Sequence, residues 1–158
     1  MPDKTSAFPF EIEFVSELAY LDLVYNISNE ITEVLKLDKK ESMQLSVAVS
    51  EAVTNAIVHG NRNDASKKVC LAILMEPTFL RIDITDEGDG SFRYDSSKHG
   101  LMNEKNLELE GGRGIFIMKN YIDRLEYSQA ESRGTRVSLI KYLSKEVKPH
   151  EHSDPKKE

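Results

Sequence analysis

Glu51, Asn55 and His59 follow one another at four-residue spacing in ESMQLSVAVSEAVTNAIVHGN, residues 41–61. On a helix this spacing stacks the three side chains along one narrow stripe. A carboxylate one turn before an amide offers a general base beside a neutral oxygen ligand for Mg2+, a cation that takes hard oxygen ligands and keeps several of its waters. Taken alone, the same spacing is equally that of ordinary polar residues on a half-exposed helix.

Two glycine-containing stretches stand further along. Asp86-Glu87-Gly88-Asp89-Gly90 comes directly off an apolar run, and its glycines permit positive φ and close approach of a ligand to the backbone. In isolation it also reads as a surface turn. Gly111-Gly112-Arg113-Gly114 precedes residues 115–121, which read as a helix. Free N–H groups and the dipole at such a helix start favour phosphate, although G-x-G by itself is also the composition of a hinge.

These groups need elements to position them. Leu45, Val49, Ala52, Val53, Ala56 and Ile57 recur at three- and four-residue spacing, so the helix over 41–61, closed by Gly60, has an apolar stripe that can pack on a sheet. Phe8, Phe10, Ile12 and Phe14 alternate as in a strand with one buried face. Residues 16–37 change to a helical period, with Ser16 placed as N-cap, and Asp38 opens the next helix. Residues 67–76 and 79–85 read as an antiparallel strand pair around Pro77, and 125–129 and 135–142 as a final hairpin. The sum is a layer of helices on one face of a sheet, an α+β arrangement. Residues 91–110 have weak periodicity and read as a long loop of the kind that forms a lid.

Composition bounds the rest. The chain of 158 residues fits one soluble domain over 1–143, followed by a charged, disordered tail over 144–158. His150 and His152 in that tail read as solvated residues rather than metal ligands. No stretch is long and apolar enough to span a bilayer and no leader is evident, so the expected location is the cytoplasm, with no membrane partner. Cys70 is the single cysteine, which excludes an intrachain disulfide, and it falls in an apolar run as an expected buried strand residue. The formal net charge of −6 argues against broad attraction to nucleic acid and is compatible with a basic protein partner.

In order along the chain, E-A-V-T-N-A-I-V-H-G, D-E-G-D-G after a strand, G-G-R-G before a helix and G-T in a hairpin resemble the GHKL (histidine-kinase-like) ATPase superfamily. The short length and the form S-E-A-V-T-N-A-I-V-H-G look like its anti-sigma-factor serine/threonine kinases. Phe116 stands where sensor-kinase catalytic domains usually carry a further glycine, which favours the anti-sigma branch.

The resemblance implies the GHKL (Bergerat) ATP-binding fold, a two-layer α/β sandwich with helices on one face of a mixed, largely antiparallel sheet. It implies ATP and Mg2+ as cofactors. Asn55 would coordinate the metal that bridges the ATP phosphates, and Asp86 would accept a hydrogen bond from the adenine amino group with Thr135 assisting. Gly88 and Gly90 would shape the base pocket, Gly112 and Gly114 would wrap the phosphates with Arg113 as a nearby cation, and Glu51 would be the catalytic base. The implied activity is phosphorylation of an anti-sigma-factor antagonist in a partner-switching module that also involves a sigma factor, with a homodimer as the expected assembly. A nucleotide-binding interaction module without kinase activity, and a detached histidine-kinase catalytic domain, are the alternatives.

Overall fold

The computed structural model describes residues 10–90 and 112–143. The expected lid over 91–110, the tail over 144–158 and the beginning of the first strand at Phe8 lie outside the described residues.

Five strands form one sheet in the order β1-β2-β3-β5-β4: β1 is Phe10–Val15, β2 Lys68–Met75, β3 Phe79–Asp86, β4 Arg124–Gln129 and β5 Thr135–Tyr142. Every pairing among the described residues is antiparallel. Their alternation puts Val69, Leu71, Ile73, Leu80, Ile82, Ile84, Val137 and Leu139 in the core. Cys70 points the other way and is half-buried rather than buried. Burial pushes its thiol up to about 11, and neighbouring Glu11 adds to the shift, so the thiolate that would be reactive is disfavoured.

Three helices cover the apolar face: α1 Leu21–Val34, α2 Lys39–Asn55 and α3 Gly112–Tyr121. Helix α2 lies between the other two and buries Leu45, Ala48, Val49, Ala52 and Val53. It starts at Lys39, directly after Asp38 as expected, because Asp38 and Glu41 form a reciprocal capping box, with Glu41 N–H donating to Asp38 Oδ1 at 2.8 Å. At its far end the backbone widens into a π turn over Ala56–Gly60, where Asn61 N–H donates to the carbonyl of Ala56 at 2.8 Å.

Ser16 does not cap α1. The helix begins at Leu21 after a short 3-10 turn over Leu18–Tyr20, and its N-cap position is Tyr20. Ser16 is buried instead, its N–H donating to the carbonyl of Lys67 at 2.9 Å and its hydroxyl accepting from Asn61. Helix α3 begins at Gly112 rather than at 115, so Gly112 and Gly114 belong to its first turn. Glycine has low helix propensity, which hides such a start in the sequence.

Candidate nucleotide site

At one end of the site, β3 delivers Asp86, which is 4% exposed. Strand β5 runs alongside and starts at Thr135, whose N–H donates to Asp86 Oδ1 at 3.1 Å; Gly88 N–H donates to the same oxygen at 2.8 Å. Burial pushes the Asp86 carboxyl above its ordinary value, and the two N–H groups pull it part of the way back. Asp83, buried three residues earlier on β3, differs in kind. It takes two hydrogen bonds from Arg81, Nε to Oδ1 at 2.9 Å and Nη2 to Oδ2 at 3.2 Å. Asp86 has no ion-pair partner among the described residues and uses only Oδ1, so Oδ2 is left as an acceptor.

Three glycines wall this carboxylate. A Cβ on Gly60 would overlap Asp86 Oδ2, one on Gly134 would overlap the carbonyl of Asp86, and one on Gly88 would overlap the carbonyl of Gly60. Gly134 also has φ of +94°, the left-handed region that side chains disfavour. Gly90 has φ of +73°, and a Cβ there would meet the carbonyl oxygen of Gly134 only at an ordinary 3.7 Å, so its requirement is conformational rather than one of close approach. From the hairpin, Arg133 Nε donates to the carbonyl of Gly88 at 3.2 Å.

At the other end stand Glu51, half-buried, and Asn55, 7% exposed, one turn apart on α2. The first turn of α3 packs on them: a Cβ on Gly114 would lie 2.7 Å from Glu51 Oε2 and 3.5 Å from Asn55 Nδ2. Arg113 is exposed beside this contact. Asn55 Nδ2 is buried without a hydrogen-bond partner among the described residues, a costly state that a ligand at this point would relieve. Turned over, the same amide presents an oxygen there, so the residue suits a hard cation or a phosphate-bound water. No cluster of three or more His, Cys, Asp or Glu able to hold a metal occurs among the described residues. A Mg2+ ion at Asn55 would therefore take most of its ligands from phosphate oxygens and water, as this ion commonly does.

The structure thus brings the proposed site residues into two clusters, Asp86, Gly88 and Thr135 at one end and Glu51, Asn55 and Gly114 at the other, joined by the end of α2 and its π turn. His59 lies in that turn, half-buried. Three residues of the first cluster escaped the sequence reading. In the sequence Gly60 closes the helix within V-H-G and Gly134 stands in the G-T pair, neither with a role at Asp86, and Asn61 is the last residue of the helix over 41–61. The signals present were H-G-N at the helix end and R-G-T in the hairpin.

Residues 14–141 match the family described as the histidine kinase-like ATPase domain. The chain is similar to proteins called anti-sigma F factor from Bacillus thuringiensis (strain Al Hakam) and Bacillus mycoides (strain KBAB4), each 38% identical over 105 residues, 66% of this chain and 72% of the relative. Among solved structures, it resembles a chain in the crystal structure of the SiaB–SiaC complex from Pseudomonas aeruginosa, with a TM-score of 0.61 at 10% identity over 84% of this chain and 89% of that one. That likeness supports the fold alone. With the motifs, the two clusters and these relatives in agreement, the chain belongs to the histidine kinase-like ATPase family, on the branch that holds the anti-sigma F factors.

Proposed function

We propose that this protein is an ATP-dependent serine or threonine kinase that acts as an anti-sigma factor: it phosphorylates an anti-sigma-factor antagonist and, when free of that antagonist, holds a sigma factor. The observation that carries the reading is the continuity of α2 and its π turn. One continuous element sets Glu51 and Asn55 against the first turn of α3 and Gly60 against Asp86, which supports base recognition at one end and phosphate chemistry at the other.

In this reading Asp86 Oδ2 accepts from the adenine amino group, while Gly88 and Thr135 hold Oδ1 and so fix the carboxylate plane. Gly112 and Gly114 let the start of α3 approach the phosphates, where its free N–H groups face negative charge. Arg113 is an exposed cation beside them, and Gly90 shapes the loop after Asp86. Mg2+ held through Asn55 would neutralise phosphate charge and keep the transferred group in line. Glu51 accepts the proton of the antagonist's hydroxyl as its oxygen bonds to the terminal phosphorus; the bond from that phosphorus to the bridging oxygen breaks and ADP leaves. A homodimer is the expected assembly, read out by sedimentation. No helix among the described residues is long and apolar enough to cross a membrane.

The test incubates the protein with Mg2+, labelled ATP and its candidate antagonist. Acid-stable phosphoserine or phosphothreonine on the antagonist supports the proposal. An acid-labile product would point to histidine and overturn it, and ATP binding with no transfer would leave a nucleotide-controlled interaction module.

A further inference from the structure

Asn61 is fully buried and satisfies its whole side-chain amide with groups from three separate segments. Its Nδ2 donates to Ser16 Oγ at the end of β1, at 3.1 Å, and to the carbonyl of Lys68 at the start of β2, at 2.9 Å. Its Oδ1 accepts from the N–H of Glu87 at 2.8 Å. Lys68 N–H in turn donates to Glu87 Oε2 at 2.7 Å, so the residue after Asp86 is held through both its backbone and its side chain.

The backbone around Asn61 is equally constrained. Its N–H closes the π turn on Ala56, and the two following residues, Arg62 and Asn63, have φ of +57° and +56°. Consecutive left-handed residues other than glycine are unfavourable and persist only where surrounding contacts dictate them. Gly60, immediately before, abuts Asp86 Oδ2, and Gly88, immediately after Glu87, donates to Asp86 Oδ1. Asn61 therefore sets the spacing between the two backbone segments that touch the two carboxylate oxygens.

From this geometry we infer that Asn61 is a positioning residue for base selection: it fixes the Glu87 and Gly88 backbone so that the Asp86 carboxylate presents Oδ2 as an acceptor that takes an exocyclic amino group and rejects a carbonyl at the same place. An acceptor held at one angle discriminates between donor and acceptor on a purine; one free to rotate can be met by water instead. The inference rests on the reading of Asp86 as the adenine acceptor. A second tie to the same loop, Arg62 Nη2 to Asp89 Oδ2 at 2.9 Å, is exposed and contributes little by comparison.

The experiment measures ATP and GTP affinity by calorimetry with Mg2+ for the full chain and for Asn61→Ala, and amide hydrogen exchange at Glu87 and Gly88 without nucleotide. Asn61→Ala should lower the ATP-to-GTP affinity ratio about tenfold, the scale for a displaced recognition group, and speed exchange at both amides about tenfold or more. Asn61→Ser leaves an uncharged hydroxyl in the buried space but gives up the amide that spans the three partners, so its ratio should fall between the two; it also replaces the alanine variant if that one does not fold. Asn29→Ala, which removes the 2.6 Å bond from Ser46 Oγ between α1 and α2, is the control for loss of a structural hydrogen bond and should leave the ratio unchanged. A folded Asn61 variant with the normal ratio overturns the inference while leaving the adenine reading intact. Wild-type protein without preference for ATP overturns that reading, and the inference with it.

Discussion

The two ends of the candidate nucleotide site differ in how complete they are before anything binds. Around Asp86 one carboxylate oxygen already has two N–H donors, three glycines set the walls, and Asn61 secures the loop behind them. Around Asn55, among the described residues, a buried amide group lacks a partner, and Glu51 meets the close approach of Gly114. The first arrangement is preorganised, so recognition there loses little ordering entropy. On the proposed function, the second would leave polar groups for phosphate, metal and acceptor to complete, which suits an end where charge has to be redistributed during reaction.

The largest effect should come from breaking the preorganised end. Gly134→Ala places a methyl group into the Asp86 carbonyl at a left-handed φ, so it should destabilise the fold by about 2–4 kcal/mol and abolish ATP binding. Urea unfolding checks this, and an unchanged midpoint would show that the cradle yields more easily than its geometry implies.

Glu51→Gln attacks the other end without touching the first. It keeps size and helix propensity but removes the carboxylate, so ATP should bind normally while phosphorylation of the antagonist falls about 10²-fold or more. On the proposed function, the variant should also keep its hold on the sigma factor. Transfer at the wild-type rate would remove Glu51 from the chemistry and reduce the second cluster to a binding site.

Asp86→Asn should weaken ATP about tenfold or more, because the amide can turn a donor toward the adenine amino group. Its stability effect has the opposite sign. Burial raises the folded-state pKa of Asp86 above the ordinary 3.8, so the folded protein holds this proton more tightly than the unfolded chain. The associated stability is present below 3.8 and lost as pH rises through the folded value, so ionised Asp86 costs stability at neutral pH. Nucleotide-free Asp86→Asn should therefore gain Tm relative to wild type as pH rises above 3.8, levelling off once Asp86 is ionised. A Tm difference that does not vary with pH would contradict the burial argument.

Gly114→Ala should give the smallest effect. The added Cβ meets the far end of the Glu51 side chain, which can swing aside, so stability should change by less than about 1 kcal/mol while ATP affinity falls several-fold. Equal losses of stability for Gly114→Ala and Gly134→Ala would erase the contrast between the two ends.

Much of the molecule follows from local pattern. The three- and four-residue spacing of Leu45, Val49, Ala52 and Val53 specifies α2 and the face it buries, and Ile57 in the π turn continues it, since a helix repeats every turn. The Val-, Leu- and Ile-rich run over 67–76 and the residues 135–142 likewise read as strands from local composition, and Asp38 reads as the opening of α2. The spacing of Glu51 and Asn55 likewise placed them on one stripe. What tertiary structure alone decided is who meets whom. Thr135 reaches Asp86 across 49 residues and Asn61 reaches Glu87 across 26, through the sheet order and the π turn, neither of which has a periodic signature. For the same reason Ser16 serves Asn61 rather than a helix cap, and Gly60, Gly114 and Gly134 acquire their roles from side chains and backbone far along the chain. Periodicity is a property of neighbours on one element, whereas exclusion of a Cβ depends on which other element packs against that position.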